Sequence, residues 1–116
     1  MRPISKRVKK ILQADPFMEQ CIVCGSHIVE WNHVFTYAGK QIDEPFNIVP
    51  MCKKHHDQST PHKNTYKEKV RDQAELAALT RMQIEDVAKY PKRDWSQLAY
   101  YLNKKYENTD TSRGES

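Results

Sequence analysis

A chain of 116 residues with 38% hydrophobic residues is sized for one domain with a modest core, and its mean hydropathy of -0.88 is that of a water-soluble protein. The formal net charge of +4 and a pI near 9.0 suit a polyanionic partner without demonstrating one. No apolar run approaches the roughly 20 residues that cross a bilayer, and the basic start (Met1 to Lys10) is not followed by an apolar signal core, so a cytosolic setting is expected.

In chain order, Pro3 is placed to start a helix in which Ile4, Val8, Ile11 and Leu12 recur at helical spacing between basic residues, and Asp15-Pro16 ends it. Cys21-Ile-Val-Cys24-Gly25 is a tight turn carrying two thiols. A strand-like run rich in Val, Trp, Phe, Thr and Tyr follows from Ile28 to Tyr37. Ala38-Gly39-Lys40 turns the chain, Phe46 to Val49 is the expected return strand, and Pro50 permits a short helix over Met51 to Ser59. The last third reads as helical. Tyr66, Val70, Ala74 and Ala77 form one stripe. Thr80 with Gln83 resembles a capping box for a helix that stops before Pro91, and Asp94 with Gln97 opens another. There Trp95, Leu98, Ala99, Leu102 and Tyr106 share a face whose ordinary role is core packing. Residues 109–116 (TDTSRGES) read as a disordered tail.

Three cysteines, an odd number, point in a reducing compartment to metal ligation rather than disulfides. Cys21-x2-Cys24 is separated by 27 residues from Cys52-x2-His55. A two-residue gap lets both side chains of one turn reach the same tetrahedral ion. Three thiolates and an imidazole close the shell, as in a structural zinc site. The competing reading, free thiols beside a surface histidine, is weakened by the second pair.

Between the zinc pairs lies Trp31-Asn32-His33. Thirteen residues separate His33 from Asn47, and eight separate Asn47 from His56, which adjoins His55. The combination CIVCG, EWNHV and FNIVPMCKKHH resembles the HNH endonuclease family (the His-Me finger or ββα-metal fold) over about Cys21 to Thr60, a third of the chain. The resemblance implies an α+β fold: a zinc-bound ββα-metal core over about residues 17–62 with flanking N- and C-terminal helices. The helical extension covers about 65–106, within a single domain over 1–108. It implies metal-dependent hydrolysis of DNA phosphodiester bonds, by nicking or double-strand cleavage. His33 is then the general base, and His56 with Asn32 holds a catalytic Mg²⁺, Mn²⁺ or other divalent ion. Asn47 fixes the loop and the His33 ring. The chemistry is coherent on its own terms, because a neutral imidazole takes a proton near neutral pH and a divalent ion stabilises charge developing on phosphate.

Asn32 departs from the family, which usually has Asp or His there, and two neighbours on a regular strand face opposite sides unless the strand ends or bulges. Thr60, four residues after His56, stands where some members carry a further ligand, or else caps the helix. His62 and His27 have solvent exposure as their ordinary reading. Lys53 and Lys54, and the basic N-terminal helix, are candidate phosphate contacts or solvated faces. By resemblance the chain acts in a bacterial or phage-infected cell. A homodimer or a protein partner docked through the C-terminal helices is open. Two alternatives stand beside the nuclease: a catalytically silent zinc-stapled nucleic-acid-binding module, and a nuclease subunit dependent on a partner such as a phage packaging motor.

Overall fold

The computed structural model describes residues 4–114, with side chains through Tyr106. Pro3 lies outside the described residues, as do 115–116 of the expected tail. The architecture is α+β, and the chain divides into two compact units, Met1–Met82 and Gln83–Ser116.

The first helix, α1 (Lys6–Gln13), is capped by Ser5, whose hydroxyl accepts from the Val8 N–H. Its buried stripe is Val8 and Leu12, one turn apart. These pack with Met18 and Ile48, and Ile4 and Trp31 close the cluster. Arg7 pairs with Glu44 at 3.1 Å, and the Ser5 N–H donates to Asp43, fastening α1 to the segment before Asn47. Pro16–Glu19 forms a 3-10 turn capped by Asp15.

The expected strand over Ile28 to Tyr37 is broken in two. β1 (Glu30–His33) pairs with the later strand β4 (Ile48–Met51), whereas β2 (Thr36–Tyr37) pairs only with β3 (Lys40–Gln41). The break at Val34–Phe35 has a cause: the Asn47 side chain binds both the N–H and the C=O of Phe35, replacing a ladder partner. Ala38 and Gly39, at φ 53° and 80°, make the two-residue connection between β2 and β3, where both positions need the left-handed region.

The return strand begins two residues later than expected, at Ile48, because Pro45–Asn47 forms a 3-10 turn. Pro50 does not open a helix but sits inside β4 opposite Trp31. The ladder phase explains its tolerance. The Val34 N–H donates to the Asn47 carbonyl, so pairs at even spacing from there (Asn32 with Val49, Glu30 with Met51) exchange ladder bonds. Trp31 with Pro50 is the non-bonded pair, so proline's missing N–H removes no ladder bond. The Pro50 carbonyl, facing away from β1, accepts from the Ile22 N–H of the cysteine turn. All four residues of β4 are buried, as α2, α3 and the Pro16–Glu19 turn pack around it.

The helix after β4, α2 (Lys53–Gln58), is consequently shorter than expected, with Cys52 as its N-cap. α3 (Glu68–Arg81) buries Val70, Ala74 and Ala78 at successive turns and packs on β4 and the Pro45–Asn47 turn. Arg81 ends it in a salt bridge to Asp15 at 3.0 Å, with its guanidinium 4.2 Å from the centre of the Phe17 ring.

In the second unit the capping box is three residues further on than Thr80: Gln83 caps α4 (Ile84–Lys89) reciprocally with Asp86. Thr80 stays inside α3, its hydroxyl donating to the Leu76 carbonyl one turn back. The last helix, α5 (Trp95–Gly114), is opened by Asp94, whose carboxylate accepts from the Gln97 N–H. Trp95 and Leu102 are buried. α5 runs through 109–114, where a disordered tail is expected, since an established helix gains one bond per added residue. Among the described residues no helix is long and apolar enough to cross a membrane.

Candidate functional site

Two turns bring the metal-ligand candidates together. In the first, Cys21 N–H donates to the Ser26 carbonyl, Gly25 N–H donates to the Cys21 carbonyl, and Gly25 takes φ 78° to close the loop. Val23 N–H donates to the Cys21 sulfur. In the second, Cys52 sits at the mouth of α2 and His55 one turn in. Hydrogen bonding of Ile22 to Pro50 ties one turn to the other. The ligand atoms of Cys21, Cys24, Cys52 and His55 all lie within 4.8 Å of one another, and this is the one such group of three or more His, Cys, Asp or Glu among the described residues.

The separations fit a tetrahedral ion. Bonds of about 2.3 Å to sulfur and 2.0 Å to nitrogen place ligand atoms about 3.5–3.8 Å apart. Cys24 Sγ lies 3.8 Å from Cys52 Sγ, and His55 Nδ1 lies 3.7 Å from Cys21 Sγ and 3.2 Å from Cys52 Sγ. Burial pushes the Cys21 thiol up, but hydrogen bonds from the backbone of Cys52, Cys24 and Val23 and from His55 outweigh it and bring the thiol down to about 6. A thiolate at neutral pH is the form that binds metal. The group can hold a metal ion such as zinc, with no open position left for a substrate.

A second site adjoins the first. A cleft of about 350 Å³ is lined by Asn32, His33, His56, Thr60, His62 and Arg71, together with neighbours that include Val34 to Thr36. His56 follows His55 and is turned about 100° from it around α2, so one histidine joins the Cys3His group and the next lines the cleft. Asn32 and His33, neighbours in sequence, are both nearly buried and both reach the cleft at the point where β1 ends. The Asn32 amide N–H donates to Met51 Sδ at 3.5 Å.

Asn47 is 0% exposed and does not line the cleft. Its Oδ1 accepts from Phe35 N–H at 2.7 Å, and its amide donates to the Phe35 and Ile42 carbonyls at 3.0 and 2.9 Å. Both amide protons are thereby used on backbone, so Asn47 shapes the loop that leaves His33 but, contrary to expectation, makes no hydrogen bond to the His33 ring. Lys53 is exposed and paired with Asp57, Lys54 is exposed, and neither lines the cleft. His27 meets Gln20 instead. The Thr60 hydroxyl donates to the His56 carbonyl at 2.9 Å as part of the end of α2.

Two residues enter that sequence reasoning passed over. Glu30 Oε1 accepts from His56 Nδ1 across 2.6 Å, which leaves Nε2 of that ring for other chemistry. A signal existed, since Glu30 stands two residues before Asn32 on one strand and so shares its face. Arg71, on α3, lines the cleft and donates to the Val34 carbonyl at 2.6 Å. No local pattern marks it, because only the packing of α3 brings it there.

No family model, no curated protein and no solved structure matches this chain.

Proposed function

We propose that the chain is a metal-dependent endonuclease of the HNH type that hydrolyses DNA phosphodiester bonds. The observation that carries the reading is that His33 and His56 line one cleft, beside a closed Cys3His group and on a strand–strand–helix unit made of β1, β4 and α2. Zinc in the Cys3His group is structural, because four protein ligands leave it no reactive position.

The catalytic roles divide among the cleft residues. His33 takes the proton from the attacking water. His56, through Nε2, and Asn32 would hold the catalytic divalent ion, and Glu30 fixes the orientation of the His56 ring from its other nitrogen, an arrangement common to ligating histidines. The ion, when bound, stabilises negative charge on the phosphate and on the leaving oxygen. One imidazole and one neutral amide fit such an ion only with water and substrate phosphate completing the shell. That donor set favours Mn²⁺, Ni²⁺ or Co²⁺, which accept imidazole, over Mg²⁺, which prefers carboxylate oxygen. Asn47 keeps the Val34–Phe35 turn in place and so the exit of His33 from β1.

Conversion of supercoiled plasmid with Mg²⁺, Mn²⁺, Ni²⁺ or chelator tests this, with His33→Ala alongside. Metal-dependent nicked or linear product, lost in a His33→Ala protein of unchanged melting temperature, is the expected result. A second reading, a catalytically silent zinc module that binds nucleic acid, is favoured by the neutral Asn32 and the lack of any carboxylate among the cleft-lining residues. It predicts binding with no cleavage under any metal.

A further inference from the structure

The residues lining the cleft include an arginine and three histidines but no aspartate or glutamate. Glu30 bonds His56 and Glu75 bonds Arg71, yet neither carboxylate lines the cleft itself. A concave site with cationic and donor groups and no acid is built for an anion. Arg71 is the fixed member of the set. Its Nε donates to Glu75 Oε2 at 3.1 Å and one Nη2 donates to the Val34 carbonyl at 2.6 Å, and its side chain is 22% exposed. A guanidinium carries five N–H donors in a rigid fork, so two such bonds lock its plane while the remaining donors stay available. The carbonyl that anchors it belongs to Val34, the residue directly after His33.

We infer that Arg71 is a phosphate-binding residue: its guanidinium holds a nonbridging oxygen of a nucleic-acid backbone phosphodiester in the cleft, beside His33 and His56. This deepens the nuclease reading and rests on it for the identity of the anion. Recognition at this point is of the phosphate and not of a base, so it adds affinity without sequence preference. Anchoring through Val34 couples the phosphate to the end of β1, so the guanidinium sets where the diester lies relative to His33. Lysine cannot replace it fully, because a point charge on a flexible stem lacks the fork that Glu75 and Val34 hold in place.

The test is NMR titration of the zinc-loaded protein, without a catalytic ion, with inorganic phosphate and separately with the dinucleotide thymidylyl-thymidine. It reads the Arg71 Nε–Hε and the His33 and His56 ring resonances. The expected result is saturable shifts at all three with the dinucleotide. In Arg71→Ala affinity should fall about tenfold to a hundredfold, the range of one charge-assisted contact, with Arg71→Lys in between. Shifts with inorganic phosphate alone would overturn the diester assignment and leave a free-phosphate site. Melting temperature and zinc content of each variant identify a folding defect. If Arg71→Ala does not fold, the wild-type Arg71 Nε–Hε resonance decides: no shift with either probe overturns the inference. Failure of the two readings separates cleanly. Plasmid cleavage by the wild type with no Arg71 shift and unchanged affinity in Arg71→Ala sinks the anion site alone. Diester binding through Arg71 without cleavage under any metal sinks the nuclease and keeps the site.

Discussion

At the residue scale, two side chains, Asn47 and Glu30, do work that their sequence neighbours do not reveal. Asn47 acts as an inserted peptide group, giving Phe35 the partner a strand would have given it. Asn47→Ala leaves one buried N–H and two carbonyls short of that partner. It should lower stability by about 2–4 kcal/mol, a loss read as a lower urea midpoint with unchanged slope. Glu30 is about half exposed, so its substitution scarcely disturbs packing, but its contact sets the His56 ring. On the proposed nuclease reading, Glu30→Gln should raise the divalent-ion concentration needed for cleavage by about 10–100-fold, with a melting temperature within a few degrees of wild type. An unchanged metal titration would remove Glu30 from the site.

At the element scale, α2 and the β2–β3 hairpin are the informative pieces. α2 is only six residues long, yet it delivers His55 to one site and His56 to the other because successive residues differ by about 100°. Inserting two residues between Cys52 and His55 should therefore turn both histidines away and disable both sites together, visible as loss of bound zinc and, on the proposed nuclease reading, of cleavage. The hairpin has a different weakness. Ala38 sits at φ 53°, where a Cβ costs about 1 kcal/mol and asparagine is better tolerated. Ala38→Asn, making the Asn-Gly pair preferred in two-residue hairpins, should raise stability by about 0.5–1 kcal/mol in urea denaturation. A lower stability would show that the turn is held by something other than its own backbone preference.

At the scale of the whole molecule, the first unit has a small apolar cluster, built on Val8, Leu12, Met18 and Ile48, and the Cys3His group joins its two cysteine-bearing turns. A domain of this size gains much of its stability from such a staple, because the metal binds only the folded arrangement of ligands. Purified protein should contain one zinc per chain. Cys52→Ser, or a strong zinc chelator, should collapse the β1–β4 sheet and lower the melting temperature sharply. Protein that is zinc-free and equally stable would overturn the staple. The second unit, Gln83–Ser116, contributes no ligand to this group.

The Cys3His group, the Val8–Leu12 and Val70–Ala74 spacings, the Trp95–Leu102 face, the Asp94 cap and the general α+β character were legible in the chain alone, because each depends on spacing along one or two local segments; Ile11 is exposed, however, Tyr66 precedes α3, and Ala78 rather than Ala77 is buried on it. Ligands two residues apart meet on one turn, and residues three or four apart share a helix face, whatever the rest of the chain does. Tertiary structure alone decided the rest. Pro50 lies in a strand, not at a helix start, because the ladder phase against β1 leaves its nitrogen unneeded. The run from Ile28 to Tyr37 splits because Asn47, distant in sequence, takes over the backbone of Phe35. Arg71 joins the cleft because α3 packs against β4 and the turn that carries Asn47. Such long-range pairings depend on which segments come to lie side by side, and that is settled by the packing of the whole unit rather than by any local pattern.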